Sequence, residues 1–181
     1  MQEAVRIYAD TSATRARVAA LLAARPPARP LTLIVDDRPG YALAQLIAVA
    51  RSSAPTLVVT ANRSPFYLHD LLGFGPQGLA VVGREPVDFA DLAQRVARGE
   101  TFYEGPPLPP DPLTERERTV LRLLATGHTN AAIARRLGLS GGRVSNLVMS
   151  VREKVGVENR VQLALAYFDL LSLWQEMLAG A

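Results

Sequence analysis

The sequence predicts two folds in tandem: an α/β domain on a shortened parallel sheet, then an all-α domain of four helices containing a helix-turn-helix. Three observations carry this. Strand-length apolar runs alternate with helical stretches from residue 5 to residue 98, the pattern of strand–helix units on a parallel sheet. Five prolines then fall within Glu104–Pro112, which forbids a helix and favours a stiff, extended connector. Beyond it, from Leu113 to Leu165, short apolar stripes at helical spacing end repeatedly in glycine. The implied division is 1–103 for the α/β domain, 104–112 for the linker and 113–181 for the helical domain.

The first half reads as follows. Val5 to Ala9 is an apolar run ending at Asp10, a strand, and Arg15 to Ala24 is an Ala/Leu-rich helix stopped by Pro26 and Pro27. Leu31 to Val35 is continuously apolar, as strands buried on both faces are, and ends in Asp36 and Asp37. Ala42 to Arg51 is helical, Thr56 to Thr60 a strand, Pro65 to Leu72 a short helix, Leu79 to Val82 a strand and Val87 to Arg98 a helix. In such sheets the functional crevice lies at the carboxyl ends of the strands. Asp10, Asp36, Asp37 and Thr60 collect there.

The second half has explicit helix ends. Thr114 and Glu117 stand at capping-box spacing before the stripe Val120, Leu121 and Leu124, and Gly127 closes that helix. A second helix spans Asn130 to Leu137 with Gly138 after it. Ser140 caps a third, whose Val144, Leu147, Val148, Val151 and Val155 form one buried stripe. Its opposite face carries Gly142, Ser145, Asn146, Met149 and Glu153, with Arg143 and Ser150 on the flanks. Two short helices joined by a tight glycine-containing turn are the arrangement in which the second helix enters the DNA major groove.

Composition narrows the classes. With 49% apolar and 20% charged residues the chain can bury proper cores. It has no cysteine, which excludes disulfides, thiol catalysis and cysteine-based zinc sites. No apolar run has transmembrane length and no leader is evident, so a soluble cytoplasmic protein without membrane contact is expected. Residues 1–112 hold eleven arginines against eleven acids, whereas residues 113–181 hold nine Lys/Arg against six acids and carry the whole excess of +3. Phosphate contact needs such a bias.

Over about fifty residues, LTERERTVLRLLATGHTNAAIARRLGLS followed by RV, VREKVGV and NR resembles the C-terminal DNA-binding domain of LuxR/NarL-type transcriptional regulators. The resemblance implies double-stranded DNA as partner, with Asn130, Arg135, Arg136, Ser140, Gly142, Arg143, Ser145, Asn146, Met149 and Ser150 as contact candidates. The family reads bases with Lys, Val and Lys where this chain has Ser145, Asn146 and Met149. Asn pairs bidentately with adenine, and Met touches only apolar base surface. Gly141 and Gly142 cost roughly 1 kcal/mol each in helix stability but let backbone N–H groups approach a phosphate. Arg135 and Arg136 are either phosphate contacts or, for one of them, an internal partner of Glu117.

LIVDDRPG, LVVTA and the closing VARGETF resemble the receiver domain of response regulators. Such domains have five strand–helix units and only four are countable here, with one missing or shortened between residues 25 and 31. The phosphoacceptor would fall on Asp36, although Pro39 comes one residue early, and Thr60 matches the family hydroxyl. Only Asp10 stands for the paired acids after the first strand. The required lysine falls on Val82, with Arg84 nearest, and the one lysine of the chain is Lys154. Arg is not an equivalent point charge. Asp36 and Asp37 therefore read as a solvated strand end in a degenerate pocket of Asp10, Asp36, Asp37, Thr60 and Arg84, and the domain as phosphorylation-independent.

No metal or other cofactor is expected. His69 and His128 lack ligand companions and read as surface or cap residues, Asp88 and Asp91 read as helix-start acids, and no catalytic constellation stands out. The final helix presents Val161, Ala164, Leu165 and Phe168 towards its own domain and Leu163, Leu170, Trp174 and Met177 on a second face. That second face serves either a homodimer or a return onto the N-terminal domain. The reading is a sequence-specific transcriptional regulator. Its rival is a protein-interaction module that docks a partner through the N-terminal domain and no longer reads DNA.

Overall fold

The computed structural model of the protein describes residues 5–50, 53–83 and 85–179. The chain divides into two compact units, Met1–Arg63 with Leu68–Leu108, and Ser64–Tyr67 with Pro109–Ala181. Among the described residues no helix is long and apolar enough to cross a membrane.

The first unit alternates strand and helix: β1 (Val5–Tyr8), α1 (Ser12–Ala24), β2 (Leu31–Asp36), α2 (Tyr41–Val49), β3 (Thr56–Thr60), α3 (Pro65–Gly73), β4 (Gly78–Val81), α4 (Phe89–Ala97) and β5 (Phe102–Glu104). All strands are parallel, in the order β1-β2-β3-β4-β5. The helices α1 and α4 begin on side-chain caps: Thr11 Oγ1 accepts from the Thr14 N–H, and Asp88 Oδ1 from that of Asp91. Asp88 is thus a helix-start acid. Arg51, the expected end of α2, lies outside the described residues, as does Arg84.

Every residue of β3 and all of β2 but its last are buried, as continuous apolar strands require. Leu31, Leu33, Val35, Leu57 and Val59 form one core with Val18 and Leu22 of α1 and Ala93 and Val96 of α4. Ile34 and Val58 alternate to the opposite face and are also fully buried, and α2 packs on β2. The steps from β1 to β2 and from β2 to β3 run in the same direction, yet their helices cover opposite faces. They therefore cannot share a hand, although parallel crossovers are almost always right-handed. α4 lies on the same face as α1, so the step from β4 to β5 shares the hand of the step from β1 to β2.

A fifth strand corrects the sequence expectation of four. β5 pairs Phe102 with Gly78 and Glu104 with Ala80, so Glu104 ends a strand instead of starting the linker. Three residues are too few to show periodicity, and tertiary contacts hold them. The Arg95 guanidinium lies 3.9 Å from the Phe102 ring centroid and bonds Glu100 at 2.7 Å and Glu104 at 2.5 Å. A Cβ on Gly78 would come within 2.8 Å of both Phe102 and Val96, so glycine is required there for β5 to dock.

The second unit contains α5 (Glu115–Ala125), α6 (Asn130–Leu137), α7 (Gly141–Val155), α8 (Arg160–Tyr167) and α9 (Leu171–Ala179). The capping box is present: Thr114 Oγ1 accepts from the Glu117 N–H at 3.3 Å, and Glu117 Oε2 from the Thr114 N–H at 2.8 Å. Gly138 (φ 64°) and Gly156 (φ 76°) end α6 and α7 in the left-handed region, where glycine avoids the Cβ penalty.

The expected single last helix is in fact two. The chain breaks at Asp169 (φ 60°), and one residue of each expected face, Leu163 and Val161, lies on the other side. Leu163 is wholly buried beside Tyr167, whereas Val161 is 62% exposed. Leu163 therefore belongs to the core of its own unit and not to an intermolecular face. The apolar residues left outward on α9 are Leu173, Trp174 and Met177, and Leu170 is half-buried ahead of it.

Candidate nucleic-acid interface

Three turns of cap chemistry build the helix pair. Thr129 Oγ1 accepts from the Ala132 N–H and opens α6, and Ser140 Oγ accepts from the Arg143 N–H and opens α7. The Ser140 hydroxyl is committed to that cap. Between them, Gly138 turns the backbone and Leu139 N–H donates to the Ala134 carbonyl. Ile133 and Val144 are fully buried at the turn. Val144 and Val151, seven apart, form the buried floor of α7, while Leu147, Val148 and Val155 are half-buried.

With that side of α7 turned inward, Gly142, Arg143, Ser145, Asn146, Met149 and Glu153 are all exposed. Arg135 and Arg136 are exposed in the last turn of α6, and Asn130 is half-buried at its start. Beside the half-buried Asn130, the exposed set offers one amide (Asn146), one hydroxyl (Ser145), one thioether (Met149), three guanidiniums and one carboxylate (Glu153). A Cβ built on Gly141 or Gly142 meets nothing within 4 Å. Nothing inside the protein therefore requires glycine at the start of α7.

Ser150, on the flank in the sequence reading, is turned inward. Its hydroxyl donates to Glu117 Oε1 at 2.6 Å, and Lys154 Nζ donates to Glu117 Oε2 at 2.7 Å. The carboxylate of Glu117 is only 5% exposed. Burial pushes its pKa up, but hydrogen bonds from Lys154, Ser150 and Thr114 outweigh that and hold it at about 2. The partner of Glu117 is thus the one lysine of the chain, and neither Arg135 nor Arg136. Lys154 lies 37 residues from Glu117, so no local spacing links the two, and the capping box already gives the carboxylate a partner within its own helix start. A lone lysine four residues after a serine on one helix face was the available signal.

The acidic crevice of the first unit is equally committed. Asp36 Oδ1 accepts from the Ala42 N–H and Asp36 Oδ2 from the Thr60 hydroxyl, both at 2.8 Å. Asp37 Oδ1 accepts from the Asp10 N–H at 2.8 Å, and Asp37 Oδ2 from the N–H and hydroxyl of Thr11. Burial raises the Asp37 pKa, yet these donors together with Thr14 bring it below its ordinary value. Asp10 forms an ion pair with Arg38 at 3.2 Å. The structure brings Asp10, Asp36, Asp37 and Thr60 together: Asp36 is a part-buried clasp between β2 and β3, while Asp10 and the bonds of Asp37 lie exposed at the strand ends. Among the described residues no group of three or more His, Asp or Glu could hold a metal.

Known proteins match both units. The family model "Bacterial regulatory proteins, luxR family" matches residues 111–167. The transcriptional regulatory protein UhpA of Salmonella typhimurium is 30% identical over 152 residues, covering 79% of this chain and 77% of that one. A nitrate/nitrite response regulator protein homolog of Haemophilus influenzae is 26% identical over 176 residues, covering 90% of this chain and 84% of its own length. Among solved structures, RcsB from Salmonella enterica serovar Typhimurium, bound to promoter rprA with a beryllofluoride phosphomimetic, superposes with a TM-score of 0.61 at 18% identity. That match covers 90% of this chain and 97% of RcsB and speaks to the fold.

The Glu117 cluster gives a pH test. A carboxyl held at about 2 when folded, against 4.5 when free, contributes stability that is present in full above 4.5. That stability is lost as pH falls towards 2. Between those values the amide-exchange stability of α5 and α7 should fall by on the order of 3 kcal/mol more in the native chain than in Glu117→Gln. Parallel curves for the two proteins would show that Glu117 is not the acid-labile link.

Proposed function

The chain belongs to the luxR family of bacterial regulatory proteins and is a DNA-binding transcriptional regulator; from that premise we propose that it reads specific sequences with α7 in the major groove. The observation that carries this is the exposed face Gly142, Arg143, Ser145, Asn146 and Met149 opposite the buried Val144 and Val151. Asn146 is the base reader, paired with adenine, and Met149 rests on a thymine methyl or similar apolar base surface. Arg143, Arg135 and Arg136 hold phosphates. Glycine at 141 and 142, which no internal contact demands, lets the first N–H groups of α7 meet the sugar–phosphate backbone closely. Ser150 has no part in the contact.

We propose further that the N-terminal unit does not work by phosphorylation. Both oxygens of Asp36 and both of Asp37 already accept hydrogen bonds, and the one lysine of the chain serves Glu117. The unit instead takes its input by docking a protein partner. The functional parts are an input domain that runs through β5 to Glu104, a stiff connector over 105–112 and a reader over 113–181. The active species is a homodimer through α9, because Leu173, Trp174 and Met177 form an apolar surface of a kind that monomers rarely leave open.

Each part has its own test. Asn146→Ala should cost about 1–3 kcal/mol of discrimination at one base pair, while Arg143→Ala should weaken all sequences evenly and lower the salt slope. Binding that is unchanged in both variants takes α7 out of the groove and favours the interaction module without DNA reading. Beryllofluoride with Mg²⁺ should leave native mass, sedimentation and DNA affinity unaltered, and a stable adduct at Asp36 would reverse that reading. Dilution should red-shift the emission of Trp174, the only tryptophan, and Trp174→Ala should weaken binding to paired half-sites. Constant emission from a particle that stays monomeric at every concentration ends the dimer proposal.

A further inference from the structure

The sheet ends in a feature that the DNA-binding reading does not use. β1 lies at the end of the sheet, and among the described residues no strand pairs with its outer side. Beside it is a groove of about 370 Å³ lined by Val5 and Ile7 of β1, Arg15, Leu22 and Ala23 of α1, and Pro27. An unpaired strand edge presents a row of N–H and C=O groups that template another strand. Here that row is flanked by apolar side chains on one face and by the exposed Arg6 with Tyr8 on the other.

We propose that this edge docks an extended segment of an acidic partner protein by strand addition, with carboxylate and apolar side chains alternating along the segment. The proposal rests on the N-terminal unit being a docking module and is independent of DNA reading. Strand geometry dictates the alternation, because successive side chains of the added strand point to opposite faces. One set enters the groove over Val5, Ile7 and Ala23. The other meets Arg6, whose guanidinium then gains an opposite charge across the strand pair. Charge selects the partner. Residues 5–30 carry Arg6, Arg15, Arg17, Arg25 and Arg29 against Asp10 alone; Arg25 and Asp10 are each paired outside the segment, with Asp88 and Arg38, so the excess rests on Arg6, Arg15, Arg17 and Arg29. Arg15 is the charged residue of the groove wall, its guanidinium held by the Ala9 carbonyl at 3.0 Å. A second copy of the chain would bring the same cationic surface to the edge and, paired antiparallel about Arg6, would set Arg6 against itself. Main-chain bonds supply affinity and the alternating pockets supply specificity, as in other strand additions.

The test uses the full chain and two short synthetic peptides, one alternating valine with glutamate and the other valine with lysine. The glutamate peptide should slow amide exchange at residues 5–8 and bind about tenfold more tightly than the lysine peptide. Arg6→Glu, at an exposed position, should invert that preference. Ala23→Glu, which obstructs the groove from an exposed helix position, should weaken the glutamate peptide by about tenfold or more, with DNA affinity unchanged in both variants. Unaltered exchange in β1, or equal binding of the two peptides, overturns the proposal. Protection of β1 that rises with protein concentration in the absence of peptide overturns it too, because the edge is then covered by a second copy. Loss of DNA binding alone leaves the docking edge standing and strikes only the regulator reading.

Discussion

The DNA-reading unit depends on one buried carboxylate. Glu117 receives the Thr114 N–H at its own helix start, the Ser150 hydroxyl and the Lys154 ammonium from across the domain. Only the carboxylate is buried, since the Lys154 side chain is 35% exposed; removing a donor from it costs about 1–3 kcal/mol, because a buried acceptor then loses a bond that water cannot fully replace. The bonds to Ser150 and Lys154, four residues apart on α7, act as a two-point clamp on one helical turn. They fix the rotation of α7 about its axis, and rotation decides which residues face outward. Valine packing alone would allow some slippage, since apolar contact is not directional. The carboxylate removes that freedom.

A comparable logic governs the first unit, with the opposite consequence for chemistry. Asp36 and Asp37 sit where a parallel sheet offers its functional crevice, yet each oxygen is bound by a neighbouring donor. Asp37 joins β2 to the start of α1, and Asp36 joins β2 to Thr60 at the end of β3 and to the start of α2. Carboxylates so bound act as struts that hold these elements together. The pairing of β1 directly with β2 gives these clasps a structural role. With β1 laid directly against β2 by a crossover of unusual hand, the joint between them needs the polar ties that Asp37 supplies.

Most of this fold was legible in the sequence where the signal is local. The capping box at Thr114 and Glu117, the closing Gly138 and the cap Ser140 each carry their meaning within four residues. The buried strands β2 and β3 announce themselves as unbroken apolar runs. What stayed hidden was non-local or a matter of phase. β5 exists through Arg95 and Gly78, neither adjacent to it. The order of β1 against β2 is a pairing across many residues and has no local trace. The final helix was misphased because Val161 and Leu163 are both apolar and only packing decides between them. The break at Asp169, a left-handed residue without glycine, hid the change of phase. Of the site, the outward face of α7 was readable from its wheel. The inward turn of Ser150 was not, because it follows from a carboxylate on another helix.

The exposed face of α7 also constrains how binding can work. Nonspecific affinity rises with the number of phosphates neutralised, and here three arginines, Arg135, Arg136 and Arg143, serve one reader while Glu153 opposes them. On the proposed docking, a single reader so equipped would gain little from charge and would rely on Asn146, Met149 and the close approach that Gly141 and Gly142 permit. Two readers held together change the arithmetic, because the second half-site is then engaged at the effective concentration set by the linkage and not from bulk solution. The weaker each reader is, the more discrimination between sites depends on both half-sites being present and correctly spaced. A reader poor in cations is therefore best suited to paired sites. An outward apolar face on α9 is what such pairing would use.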